Sequence, residues 1–152
     1  MKVNMIFKQD FIKYYLPIIL WMGFIFWMST GTFSSENTHS YLEAVLRLFL
    51  PKISSREIDF INGLIRKSGH VMEYFILSLL LFRAFRGNSI RPWNWRWSFL
   101  ALISVILWAA GDEFHQSFVS TRTASVVDVF IDTMGGVLAQ FAILLRHGYR
   151  KK

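Results

Sequence analysis

Apolar residues in this chain gather into long blocks rather than recurring at short intervals. Four blocks stand out, at about 11–29, 69–86, 97–116 and 126–145. The first carries Ile18-Ile19-Leu20-Trp21 and Phe24-Ile25-Phe26-Trp27, the second Phe75-Ile76-Leu77 and Leu79-Leu80-Leu81-Phe82, and the third Leu100-Ala101-Leu102-Ile103 and Val105-Ile106-Leu107-Trp108. A hydrocarbon core of ~30 Å takes about 20 helical residues, with a range of about 17–25. The first and fourth blocks reach that length outright. The second and third reach it only with their polar ends, His70–Tyr74 and Asp112–Gln116, counted in. Those two helices are therefore expected to carry polar groups to the membrane boundary. The pattern predicts an all-α polytopic membrane protein with four transmembrane helices, a single domain over 1–152. Lys2, Lys8 and Lys13 precede the first block as they would in a cleavable signal. Met28-Ser29-Thr30-Gly31-Thr32 lacks a small-x-small cleavage site, however, so the block is expected to stay as a span.

Between the first two blocks the period changes. Ser40-Tyr41-Leu42-Glu43 has a capping-box pattern and leads into Leu42, Val45, Leu46, Phe49 and Leu50 at helical spacing. Glu43 and Arg47 form an i,i+4 pair, and Pro51 ends the run. A second box, Ser54-Ser55-Arg56-Glu57, opens a stretch with Ile58, Ile61, Leu64 and Ile65. One or two short amphipathic helices are expected in this loop, lying on the membrane face or capping the bundle.

Composition agrees with the pattern: 53% of residues are hydrophobic and 18% charged, which excludes intrinsic disorder. The absence of cysteine excludes disulfide scaffolds, zinc ribbons and thiol catalysis. The net charge of +7 would suit nucleic acid or membrane, and the placement of the charges decides between them. With the N-terminus inside, 11 basic residues fall on the inner side: Lys2, Lys8, Lys13, Arg83, Arg86, Arg91, Arg96, Arg146, Arg150, Lys151 and Lys152. Six fall outside: Arg47, Lys52, Arg56, Arg66, Lys67 and Arg122. The positive-inside rule thus predicts a cell-membrane protein with both termini cytoplasmic, and Trp93, Trp95 and Trp97 beside the inner loop read as an interfacial belt. The spans divide the basic residues into three inner clusters, so no single nucleic-acid surface is formed. Their expected roles are topology signals and contacts with anionic lipid.

The acids carry the functional signal. Five of the ten carboxylates, Glu73, Asp112, Glu113, Asp128 and Asp132, lie in or at the ends of predicted spans. An ionisable residue at a helix centre costs about 2.5–3.5 kcal/mol to insert, and such residues mark function by default. In the predicted topology all five, with His70, His115, Gln116, Arg122 and Ser125, come to the outer level of the membrane. His70, Glu73 and Tyr74 share a face at i, i+3 and i+4; Asp112 aligns with His115 and Gln116; Asp128 and Asp132 are i,i+4 and continue into Gly135-Gly136. Small residues there allow close helix approach. Arg122 is the cation positioned to answer the acids of the third and fourth spans, with Lys67 as a second. His39 and His147 have no constellation around them. A divalent metal is a further reading, with His70, Glu113, His115 and Asp128 as candidate ligands, but no tight ligand signature such as HExxH is present and metal is not favoured. A proton pathway is disfavoured as well, because no string of acids reaches the inner half.

Two segments together resemble a known family. Arg66-Lys67-Ser68-Gly69-His70-Val71-Met72-Glu73-Tyr74 is followed by Asp112-Glu113-Phe114-His115-Gln116-Ser117-Phe118, then Arg122, Ser125, Asp128, Asp132 and Gly135-Gly136. This pattern resembles the VanZ-like family of bacterial membrane proteins over Arg66 to Gln140, and more weakly at Met28-Ser29. Ser120-Thr121 stands where members often show Pro-Gly, and Ala139 stands where the glycine stripe would end in Gly. The resemblance implies a link to low-level resistance to teicoplanin-type glycopeptides, without implying a reaction.

Three functions follow as expectations. In the first, the outer cluster binds a lipid-linked cell-wall precursor, a lipid headgroup or the glycopeptide, with Arg122 and Lys67 holding anions and Glu73, Tyr74, Asp112, Gln116, Ser125 and Asp132 completing the site. In the second, the protein is a membrane-embedded hydrolase or transferase of an outer-leaflet substrate. Glu113 is then the general base, His70 or His115 its acid–base partner, Arg122 the anion stabiliser and Asp128 an accompanying carboxylate. In the third, the charges form a network that only fixes helix packing.

Overall fold

Proline shapes the first element. α1 covers Phe11–Met28, opening with a π-helical turn over Phe11–Tyr15 and continuing as α-helix over Leu16–Met28. Pro17 has no N–H to offer the carbonyl one turn back, and the widened turn beside it absorbs that mismatch. The computed structural model describes residues 9–30, 35–119 and 125–149. The remaining elements are α2 (Ser35–Phe49), α3 (Ser55–Arg86), α4 (Trp95–Gln116) and α5 (Val126–Tyr149). Among the described residues there is no strand.

The connecting segment departs from expectation in two ways. α2 begins at Ser35, so Ser40 lies inside the helix and not at its N-cap. The Ser54 box does form: the Ser54 hydroxyl accepts from the Glu57 N–H, and the Glu57 carboxylate accepts from the Ser54 N–H at 2.9 Å. The Ser54 N–H, and the Ser54 hydroxyl donating to the same carboxylate oxygen at 2.8 Å, hold the Glu57 carboxyl below its ordinary range. The helix so capped does not stop after Ile65. It runs unbroken through the second apolar block to Gly87, whose φ of 52° suits glycine. No proline interrupts residues 55–86, and Gly63 and Gly69 cost only about 1 kcal/mol each, too little to break a packed helix. At 32 residues and about 1.5 Å each, α3 is about 48 Å long, well beyond a hydrocarbon core.

α2 folds back on the first half of α3. The buried Asn62 donates to the Ser35 carbonyl at 3.2 Å, and His39 Nε2 meets Asp59 at 3.0 Å. The expected Glu43–Arg47 pair forms at 2.8 Å.

Among the described residues, three helices are long and apolar enough to cross a membrane: α1, α4, and α5 over Val126–Gly148. The expected four are thus three by this measure. α3 falls short because His70 and Glu73 at one end, and Arg83 and Arg86 at the other, trim its apolar run. It is nevertheless the central helix, packed against each of the others. Its Tyr74, Leu77, Leu81 and Phe82 meet Ile18 and Ile25 of α1 and the Ala101, Val105, Ala109 stripe of α4. Large apolar side chains such as Leu20, Leu107 and Phe130 face outward, the arrangement suited to a lipid surround, where interfaces use small residues and bulky ones meet acyl chains.

The tightest seam joins α3 to α5. A Cβ on Gly135 would collide with the Val71 backbone carbonyl, and one on Gly136 would stand 3.0 Å from Val105 Cγ1. Below them, the Ser78 hydroxyl donates to the Gly136 carbonyl at 3.1 Å and accepts from Gln140 Nε2 at 2.8 Å. Gly135→Ala should force the two helices apart and destabilise the protein by about 1–3 kcal/mol. Gly23→Ala, where an added Cβ meets nothing, should be neutral or stabilising. Thermal melting of both variants in detergent checks this.

Candidate functional site

Helical spacing stacks Arg66, His70 and Glu73 along one side of α3, at i, i+4 and i+7. The last turns of α4 bring Asp112, Glu113 and Gln116, and the first turns of α5 bring Asp128 and Asp132. These positions converge at one end of the bundle. Asp112, Glu113 and Asp132 are only 5%, 6% and 0% exposed.

A cavity of about 190 Å³ opens at this convergence. Its polar wall is Ser29 of α1, Thr38 of α2, Arg66, His70 and Glu73 of α3, and Asp112 of α4; Ile25, Met28 and Ile65 supply apolar surface. His70 Nδ1 pairs with Asp132 Oδ1 at 3.1 Å. Because that nitrogen is engaged, the ring presents Nε2 as its second polar atom. Gln116 Nε2 donates to Asp112 Oδ2 at 3.0 Å. Asp112 Oδ1, Asp132 Oδ2 and Glu113 Oε1 are each buried with no hydrogen-bond partner. A buried polar atom left unpaired costs about 1–3 kcal/mol, so the two beside the His70 cavity, on Asp112 and Asp132, mark it as built for something other than stability. Trp21 fixes α1 to this wall by donating from Nε1 to the Glu73 carbonyl at 2.8 Å.

The expected residues divide into two groups. His70, Glu73, Asp112, Gln116 and Asp132 come together around the cavity. Asp128 is half-buried and within electrostatic reach of Arg66 and His70. The others sit elsewhere. Glu113 Oε2 accepts the Ser125 backbone N–H at 2.7 Å, and Ser125 Oγ accepts from the Val127 N–H. Both residues thereby cap the start of α5, since first-turn N–H groups have no partner within their own helix. Glu113 lines a different, largely apolar pocket of about 600 Å³ with Phe114 and Phe130. His115 packs on Phe26 with ring centroids 4.5 Å apart. Lys67 is exposed outside the cavity. Tyr74 is fully buried in the core, its hydroxyl unpaired. Arg122 lies outside the described residues. The four candidate metal ligands are consequently spread over three places, and among the described residues no three His, Asp or Glu side chains gather closely enough to hold a metal ion.

Arg66, Ser29 and Thr38 line the cavity without having been given a site role from the sequence, although Arg66 opens the first family-like segment and Ser29 lies in the weaker one. Arg66 was legible: it stands one turn before His70 on the same face. Ser29 and Thr38 carry no such signal, because the side of a helix turned toward a neighbouring element is set by packing.

A family model described as VanZ/LLP1 matches residues 14–147, and the chain belongs to that family. No curated protein and no solved structure matches it.

The two positions of Glu113 and His70 predict different behaviour. Glu113→Gln keeps an oxygen for the Ser125 N–H and should retain near wild-type stability. Glu113→Ala removes the cap and should cost about 1 kcal/mol. Melting temperature and membrane abundance of the pair distinguish this capping role from a purely chemical one, in which both substitutions would leave stability unchanged.

Proposed function

We propose that this member of the VanZ/LLP1 family binds the polar headgroup of an envelope lipid or lipid-linked cell-wall precursor at the outer face of the cell membrane. The observation that carries the reading is the cavity itself, where His70, fixed by Asp132, stands with Arg66, Glu73 and Asp112 around about 190 Å³. Arg66 suits a phosphate or carboxylate, for which its planar fork offers paired donors. Glu73 and Asp112 suit an amine or sugar hydroxyls. Size decides between headgroup and antibiotic. Sites for drug-sized molecules run from about 300 to 1,000 Å³, so this cavity admits a headgroup and is too small for a glycopeptide. Protection against teicoplanin would then follow from holding the precursor, with the drug itself outside the site.

The reading includes a topology. Residues 69–86 of α3 act as a fourth span, because a central helix flanked by three membrane-crossing neighbours shares their environment. Both termini face the cytoplasm, following the distribution of Lys and Arg. The exposed Leu48, Phe49 and Phe60 beside Lys52 and Arg56 rest on the outer surface of the bilayer.

A second reading rests on the His70–Asp132 pair. An imidazole held at Nδ1 by a buried carboxylate is fixed in tautomer and orientation, leaving Nε2 to exchange a proton with a substrate. In a hydrolase or transferase of an outer-leaflet substrate, His70 takes the role of general base in place of Glu113, which is engaged at α5.

Three outcomes are expected. In a susceptible Gram-positive host the wild type should protect against teicoplanin, and Asp132→Asn should not, at membrane levels matched by immunoblot. Equal protection by both would reject the site, and no protection by either would reject the resistance link. Arg66→Gln should weaken precursor binding by the purified protein about tenfold or more, the worth of a hydrogen bond to a charged group. An unchanged affinity removes Arg66 from the site. If chemistry occurs, His70→Ala should lower turnover by about 10²–10⁴-fold while substrate still binds. Absence of turnover in the wild type rejects the second reading.

A further inference from the structure

At the opposite end of the bundle, α3 and α5 finish in a second cleft. α3 arrives with Arg83 and Arg86 in its last turn and α5 with Arg146 and His147 in its own. With Pro92 from the α3–α4 connection, these four side chains surround about 400 Å³, floored by Phe82 and Ile143. The cleft has no acidic residue in its wall. Among the described residues 9–15, 83–97 and 146–149, which make up this end of the chain's path, Asp10 is the one acid. Asp10 is already occupied. Its Oδ1 accepts from Asn88 Nδ2 at 3.2 Å, while Asn88 Oδ1 accepts from Tyr14 at 2.7 Å and Lys13 at 3.2 Å.

The cations of the cleft are correspondingly free. Among the described residues, none of Arg83, Arg86 and Arg146 forms an ion pair; Arg83 lies 5.7 Å from the Tyr14 ring centroid. His147 is half-buried and stacks on Trp93 at 6.1 Å, with Nδ1 buried and unpaired. Orientation signals account for the presence of basic residues at a helix end. They do not account for arginines more than 60 residues apart in the chain converging on one cleft, or for an unpaired buried imidazole nitrogen in its wall. Guanidinium groups clustered without carboxylates match the oxygen geometry of a phosphate, and an apolar floor suits the glycerol and upper acyl carbons attached to one.

We propose that the cleft between the ends of α3 and α5 binds a phosphate ester through Arg83, Arg86, Arg146 and His147, the phosphate being supplied by an anionic phospholipid of the adjacent leaflet or by a soluble ester. The site is separate from the His70 cavity and does not depend on the function proposed for it.

The test uses the full chain purified in nonionic detergent, with binding read by native mass spectrometry. Phosphatidylglycerol, phosphatidylcholine and inorganic phosphate are the probes. Phosphatidylglycerol should be retained in preference to phosphatidylcholine. Each arginine hydrogen-bonded directly to the phosphate contributes about fivefold in affinity. Arg146→Gln should therefore weaken phosphatidylglycerol binding about fivefold, and the combined Arg83→Gln, Arg86→Gln, Arg146→Gln variant about a hundredfold. Arg91→Gln with Arg96→Gln removes two charges at the same end but outside the cleft, and should change binding less than about twofold. Inorganic phosphate that binds as tightly as the lipid, with the same dependence on Arg146, would keep the site and assign it to a soluble ester. Equal weakening by the control would reduce the effect to diffuse surface charge and overturn the proposal. So would indifference to the choice of lipid and to phosphate. Arg146 is exposed at the end of α5, so its single variant keeps the test decisive if the triple variant fails to fold.

Discussion

A carboxylate with no exposed surface has to be answered from within the chain, and Asp132 is answered by His70. The pair spans α3 and α5 at the level where those helices are pressed together by Gly135, whose missing side chain leaves room for the Val71 carbonyl. Burying an ion pair is an expensive way to hold two helices, since an apolar pair of the same volume often does as well or better. The packing seam already supplies the adhesion through Gly136, Ser78 and Gln140. What the His70–Asp132 pair adds is orientation of an imidazole at the wall of a cavity. The rest of the polar end depends on this contact, because Arg66 and Glu73 share the face of α3 that His70 fixes.

The two ends of the bundle are electrostatic opposites. One end gathers buried carboxylates around a histidine and a single lining arginine; the other gathers three arginines and a histidine around a cleft with no acid among its lining residues. Both are cavities between the same central helix and its neighbours, and both contain polar atoms that the chain leaves unpaired. Such buried atoms are retained against a cost of about 1–3 kcal/mol each. The middle of the bundle differs, because Leu77, Leu81, Val105 and Ala109 pack there without charge. The same cost also trims the apolar run of α3 and keeps it from reading as a span by hydropathy alone.

Helical periodicity carried most of what the sequence could tell. The four apolar blocks fall in α1, α3, α4 and α5, and the Ser54 capping box forms with both of its hydrogen bonds. The convergence of His70, Asp112 and Asp132 on one end was legible because alternating spans must deliver their ends to the same level. The continuity of α3 was not legible. Its amphipathic first half and apolar second half change composition within one helix, and helix formation responds to backbone breakers rather than to such changes. The placement of α2 was misread for a related reason, since Ser40 matches a capping pattern that the earlier start at Ser35 leaves in mid-helix.

Sequence by itself determined the class of the protein, the polar residues that reach each end of the bundle, and membership of a family whose motifs those residues carry. These follow from local rules: length, period and the cost of charge in an apolar medium. Tertiary structure decided which of the polar residues share a cavity. Glu113 and Asp112 are adjacent in the chain, yet successive helical residues point about 100° apart. Asp112 consequently reaches the His70 cavity while Glu113 turns to the start of α5. That partition, and with it the exchange of Glu113 for His70 as the group poised over the cavity, rests on the rotation of α4 about its own axis. Packing against α3 and α5 fixes that rotation, and no local pattern records it.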